Sequence, residues 1–207
     1  MGGTALITGG AGFIGCRVAQ ALLEAGYRVR VLDALIEQVH RPGARRNPIL
    51  GEVELVVGDV RDPDAVRAAL RGADFVVHLA AEVGVGQSMY AIDRYVSAND
   101  RGTAVLLEAL IDRPVRRIVV ASSMSIYGEG LYRTARGVAV EDAVRAGEPR
   151  ADGGWDPVDA GGEPLVPVAT PEWKRPSLAS VYALTKYVQE RLVLTVAPAY
   201  GMEAAAL

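Results

Sequence analysis

Two side chains with acid–base chemistry stand one helical turn apart in "SVYALTKYVQERL" (180–192), Tyr182 and Lys186. At i and i+4 they share one face of a helix. The chain carries 22 Lys and Arg together, yet lysine occurs only at Lys174 and Lys186. A tyrosine hydroxyl ordinarily titrates near ~10 and is a poor base at neutral pH; a neighbouring ammonium favours its phenolate. An ammonium is also compact enough to lie beside a phenol while donating to a further hydroxyl, which a planar guanidinium does less well. The pair suits proton removal from a hydroxyl; taken alone, its spacing also suits a solvated helix face. Ser122 and Ser123 end the run "RRIVVASS" (116–123). A serine at the carboxyl end of a strand can hydrogen-bond an alkoxide and steer its proton to Tyr182, or simply form a turn.

A second constellation lies at the start. "ITGGAGFIG" places Gly10, Gly12 and Gly15 in G-x-G-x-x-G register, and Gly9, Gly12 and Gly15 in the alternative G-x-x-G-x-x-G register. A pyrophosphate must approach helix N-terminal N–H groups closely, and a Cβ at the turn would block it. Asp33 ends the next apolar run, 18 residues past Gly15. A carboxylate there holds an adenosine ribose and repels a 2′-phosphate, which favours NAD over NADP. The alternative is a glycine-rich turn without a ligand. With a dinucleotide in place, its positive nicotinamide ring is a second cation favouring a Tyr182 phenolate.

The elements that must position these groups follow from pattern. Apolar runs at 4–8, 28–33, 53–59, 74–80 and 116–123 read as strands buried on both faces, and 14–26, 62–72 and 94–111 read as intervening helices. Asp62–Pro63 suits an N-cap and first helical turn, and Gly26 and Gly72 suit helix stops. This alternation predicts an α/β fold, a doubly wound parallel sheet of Rossmann type. Residues 129–177, rich in Gly, Pro, Asp and Arg without sustained period, read as a long insertion. A helix is expected over 180–197, with Val181, Leu184, Val188 and Leu192 as the stripe that docks on the sheet. "MEAAAL" (202–207) then opens a sixth strand.

Bulk properties exclude some functions. With 207 residues the chain fits one domain or slightly more. The net charge of -3 gives no nucleic-acid footprint, and no apolar run approaches a membrane span. The only cysteine, Cys16, permits neither an intrachain disulfide nor a cysteine zinc cluster, and leans toward a reducing, cytoplasmic setting. The N-terminus lacks the basic segment of a signal peptide.

"TGGAGFIG", Asp33, "VVGDVRD" with Asp59, "VVHLAA" (76–81), "VGVGQSMY", "VSANDRGT" with Asn99, "SSMSIYG" and "YALTK" occur in that order. Together they resemble the extended short-chain dehydrogenase/reductase family, in its nucleotide-sugar epimerase/dehydratase branch. The resemblance implies NAD as cofactor, held by Gly9, Gly12, Phe13, Ile14, Gly15 and Asp33, with Asp59 and Val60 bracketing the adenine. It also implies that Leu79, Ala80 and Ala81 line the cofactor and that Asn99 supports the lysine. Ser123, Tyr182 and Lys186 become the catalytic residues, with Tyr182 and Lys186 also contacting the cofactor. His78 would be an ordinary strand residue.

Dehydratases of this branch resemble "TDEVYG" where this sequence has Met124 and Ser125 for the Asp–Glu pair. A thioether transfers no protons, so elimination of water loses its acid and base, whereas epimerisation at sugar carbon 4 needs neither. The resemblance thus implies a nucleotide-sugar 4-epimerase acting through a 4-ketosugar, its finer motifs being similar to those of enzymes acting on dTDP-6-deoxyhexoses such as dTDP-L-rhamnose. Relatives often carry cysteine knuckles in the long insert, where this sequence reads "YRTARG" and "DPVDAGG", so no metal is expected. Family members continue into a smaller substrate-binding domain after the sixth strand, and that part is missing after Leu207. A homodimer through helices 94–111 and 180–197 is likewise implied. Two other readings stay open, an NAD-dependent nucleotide-sugar dehydrogenase or reductase, and an NAD-binding module without turnover.

Overall fold

The computed structural model describes residues 2–41, 43, 47–145, 147–150 and 153–207. Two compact units are distinguishable, one formed by residues 1–123 with 180–207 and the other by 124–179.

The first unit is built on six parallel strands, β1 Thr4–Thr8, β2 Arg28–Asp33, β3 Glu54–Val57, β4 Phe75–His78, β5 Arg117–Val120 and β9 Glu203–Ala206, in the order β3-β2-β1-β4-β5-β9. This is a doubly wound sheet whose strand order reverses between β1 and β4, the place where such folds bind ligands. Alternate side chains enter opposite cores. Leu6, Leu32 and Val76 pack with Val66, Leu106 and Val193. Ile7 and Val31 pack with Ala19, against which Val77 and Leu22 also lean. Burial on both faces explains why these strands read as unbroken apolar runs.

The helices are α1 Phe13–Glu24, α2 Pro63–Ala69, the short α3 Val85–Ser88 and α4 Ile92–Tyr95, α5 Gly102–Asp112 and α6 Val181–Ala199. Asp62 caps α2 by accepting from the Asp64 amide, with Pro63 at its first position. The helix expected over 94–111 is interrupted: Val96–Arg101 forms a π-turn between α4 and α5. Its apolar spacing disguises one extra residue, and such bulges concentrate at functional sites. Three expected strands end early. The ladders stop at Val57, His78 and Val120, so Asp59, Leu79–Ala81 and Ser122–Ser123 lie just past the carboxyl edge.

The second unit corrects the expectation of irregular structure at 129–177. It contains a small antiparallel sheet, β6 Leu131–Arg133 between β7 Ala139–Val140 and β8 Val166–Val168. Strands of two and three residues are too short to show a period. Residues 146, 151 and 152 of that stretch lie outside the described residues. Among the described residues, no helix is long and apolar enough to cross a membrane, and no group of three or more His, Cys, Asp or Glu is gathered as a metal cluster would require.

Candidate active site

The entry to α1 separates the roles of its glycines. Gly9 has φ +67°, and a Cβ there would lie 2.8 Å from the Ala80 amide nitrogen. A Cβ on Gly15 would lie 2.5 Å from Gly10 Cα. Those two glycines let strand end, turn and helix close on one another. At Gly12 a Cβ would meet only the Gly9 carbonyl, at 3.3 Å, so the missing side chain there leaves open surface. Gly12 is also the N-cap of α1 and offers the helix no side-chain acceptor, while Phe13 and Ile14 after it are 84% and 60% exposed. Asp33 Oδ2 accepts from the Ala11 amide at 3.0 Å and Oδ1 from the Leu35 amide at 2.8 Å. An uncapped helix entry, an open glycine and a carboxylate tied to the same loop match an adenosine diphosphate moiety in shape and charge. His40, which sequence reasoning missed, lies with Nε2 3.6 Å from Asp33 Oδ1. It comes from an irregular segment with no periodic signal.

The neighbouring strand ends carry the next group. The Asp59 carboxylate accepts from Arg61, from Nε at 2.9 Å and Nη2 at 2.5 Å, and these bonds hold it below its usual carboxylate range. Val60 is buried, and a Cβ on Gly102 would lie 2.6 Å from its Cγ1, so this side chain packs beneath the start of α5. Leu79 leans on the core containing Ile7. The Ala80 amide donates to Thr8 Oγ1 at 3.2 Å, and Ala81 follows, half-buried.

The π-turn presents Asn99, fully buried. Its Oδ1 accepts from the Glu82 amide at 2.7 Å, and its Nδ2 donates to the Glu82 carbonyl at 3.1 Å and to Thr185 Oγ1 at 2.9 Å. Asn99 therefore reaches α6 at Thr185, the residue before Lys186. The Tyr95 hydroxyl donates within the same loop, lying 2.7 Å from the Val83 carbonyl, and its ring meets Tyr182 edge-on with centroids 6.5 Å apart. The start of α6 is fixed twice: Ser180 caps it by accepting from the Ala183 amide, and Ser88 Oγ accepts from the Tyr182 amide at 3.0 Å.

The buried face of α6 departs from the expected apolar stripe. Ala183, Thr185, Lys186, Gln189, Val193 and Ala197 are inside, whereas Leu184 is 45% exposed. The inner face accepts polar groups because each finds a partner there. Lys186 is only 3% exposed, its Nζ donates to Gln189 Oε1 at 2.7 Å, and burial pushes its pKa down to about 8. An ammonium has three donors, and Gln189 takes one of them. Tyr182, one turn earlier, remains half-buried. Behind Lys186 lies His78, the last residue of β4 and a strand residue as expected. It is buried, its Nδ1 is 2.7 Å from Thr8 Oγ1 and its Nε2 2.9 Å from Thr103 Oγ1, and burial lowers its pKa to about 3. Of the two serines after β5, Ser122 donates to Glu190 Oε2 at 2.7 Å, and Ser123 follows it, half-buried. In the second unit, Met124 and Ser125 open a 3₁₀ turn, Met124–Tyr127, in place of the dehydratase acids.

The model of the NAD dependent epimerase/dehydratase family matches residues 5–146. A dTDP-L-rhamnose 4-epimerase of Burkholderia thailandensis is 35% identical over 91% of this chain and 52% of its own length. A UDP-glucose 4-epimerase of Streptomyces lividans is 42% identical over 62% of this chain and 38% of its own length. Among solved structures, a UDP-glucose 4-epimerase from Thermus thermophilus in complex with NAD superposes with TM-score 0.67 at 28% identity, covering 98% of this chain and 53% of that one. The chain spans about half the length of the first of these relatives. It belongs to the NAD-dependent epimerase/dehydratase family, of the extended short-chain dehydrogenase/reductase type.

Proposed function

We propose that this chain is the cofactor-binding part of an NAD-dependent nucleotide-sugar 4-epimerase. The observation that carries the reading is the buried ammonium of Lys186, with one of its three donors taken among the described residues, one helical turn after Tyr182 and within the same unit as the open glycine entry and Asp33. Asp33 holds the adenosine ribose, and Gly9, Gly12 and Gly15 with the amides of Phe13 and Ile14 receive the pyrophosphate. Asp59 and Val60 flank the adenine, and Leu79, Ala80 and Ala81 form the wall beside the ring. Bound NAD supplies a hydride acceptor that later becomes the donor. Tyr182 takes the proton of the C4 hydroxyl as the C4 hydride leaves, Lys186 favours the phenolate and donates to the cofactor ribose, and Ser123 hydrogen-bonds the developing alkoxide. After the 4-ketosugar turns over, the hydride returns to the opposite face and Tyr182 returns the proton, so no net redox occurs.

A dTDP-6-deoxyhexose is the substrate class supported by the relative from Burkholderia thailandensis. Incubation with dTDP-6-deoxyhexoses, with UDP-hexoses as the comparison, and NAD should interconvert C4 epimers without accumulating NADH. Accumulating NADH instead identifies a dehydrogenase, and NAD binding with neither outcome identifies a binding module. The same reading includes a homodimer through the helical segments 94–111 and 180–197, where Val96 and Leu184 are exposed; a monomer in sedimentation contradicts it. A cytoplasmic location fits the buried, unpaired Cys16.

A further inference from the structure

Gln189 occupies the next turn of α6 after Lys186 and is fully buried. Its amide orientation is forced. A lysine ammonium has donors only, so the atom 2.7 Å from Nζ must be the Gln189 carbonyl oxygen, Oε1. Nε2 then faces the other way, 2.8 Å from Thr103 Oγ1 and 3.3 Å from the Ala80 carbonyl. Thr103 donates its hydroxyl hydrogen to the Asn99 carbonyl at 2.6 Å, so its oxygen accepts from Gln189. His78 Nε2 lies 2.9 Å from the same oxygen and 3.2 Å from Gln189 Nε2, and the tautomer of the ring sets which of the two it pairs with. With either tautomer of His78, the chain of bonds ends at Lys186.

We propose that Gln189 is a positioning residue for Lys186: it anchors one N–H of the ammonium to the strand end that carries Ala80 and to α5, which leaves the other two directed to the cofactor and Tyr182. The proposal rests on the epimerase-type reading of Tyr182 and Lys186. It differs from that reading in assigning a role to a residue outside the Tyr-x-x-x-Lys motif. No ligand is needed for the bond, so Lys186 is held in place before NAD arrives.

With lysines only at 174 and 186, ¹³Cε-lysine labelling resolves Lys186 in the intact chain by NMR. Gln189→Met removes the acceptor at nearly constant volume. The Lys186 titration should move to lower pH and NAD affinity should fall about tenfold, as expected for loss of one charge-assisted hydrogen bond. Gln189→Glu keeps an oxygen at the same reach and adds charge, so the titration should move to higher pH. If Gln189→Met does not fold, the upward shift in Gln189→Glu decides the matter alone. An unmoved Lys186 titration in the folded variants overturns the proposal. Titrations that move as expected with NAD affinity unchanged, in Lys186→Met as well, overturn the cofactor role of Lys186 and leave the anchoring bond standing.

Discussion

Lys174 and Lys186 belong to different units, and each is nearly inaccessible, at 2% and 3% exposure. Lys174 Nζ meets the Tyr127 carbonyl at 3.0 Å, the Arg175 carbonyl at 3.2 Å and Ser177 Oγ at 3.1 Å. Three acceptors satisfy three donors, and the ammonium ties the start of its unit to the end. Lys186 has Gln189 as its acceptor and a pKa lowered by burial alone. A saturated ammonium is a structural tie, whereas an undersatisfied one, kept out of water, is a site waiting for a ligand. In a chain that otherwise uses arginine, both positions need a compact charge with converging donors rather than a planar fork.

The largest effect expected from this contrast is on activity. Lys186→Met should lower epimer interconversion by about 10²–10⁴-fold, measured by chromatography of the nucleotide sugars. Its stability at pH 7 should stay within about 1 kcal/mol of wild type, because loss of an ammonium that burial disfavours offsets the orphaned Gln189 carbonyl. Lys174→Met should do the reverse, costing about 3 kcal/mol or more in denaturant unfolding by leaving three acceptors unpaired. Equal destabilisation by both would erase the distinction between the two lysines.

The network behind Lys186 sharpens the comparison through pH. His78 has its folded-state pKa lowered to about 3 from an ordinary value of 6.5. The unfolded chain therefore binds the extra proton first, and stability is lost as pH falls from 6.5 toward 3, by roughly 5 kcal/mol in full. Acid unfolding followed by circular dichroism should show this limb, flattened in His78→Gln. At the other end Lys186 releases its proton near pH 8 when folded and near 10.5 when unfolded. Stability should thus rise with pH through that window, by roughly 3 kcal/mol, relative to Lys186→Met. Over the same range kcat/KM should fall above about pH 8 as the ammonium is lost. A smaller effect is expected at the far end of the site, where Asp33→Ala should weaken NAD binding by about 1–3 kcal/mol in calorimetry.

The parallel sheet was legible because its strands are buried on both faces, so "TALIT" and "RVRVLD" could be read as apolar runs and Asp33 fell at a strand end. The Tyr182–Lys186 spacing was legible for the same local reason. The inner face of α6 was not. Val181, Leu184, Val188 and Leu192 suggested an apolar stripe, but Thr185, Lys186 and Gln189 are buried because Asn99, Thr103 and Ala80 meet them from distant parts of the chain. No spacing rule reports such partners. His78 is the strand residue it was expected to be, though its partners Thr8 and Thr103 could not be read from spacing, and His40 was overlooked because its approach to Asp33 depends on an irregular segment. The short strands of 124–179 left no periodic signal at all.

The central claim is that Lys186 is held ready for a bound dinucleotide while Lys174 is not. The most direct measurement adds NAD to the ¹³Cε-lysine-labelled protein and follows both signals. The account predicts that the Lys186 resonance and its titration shift on saturation while those of Lys174 stay in place. A Lys186 signal that does not respond to saturating NAD would contradict it.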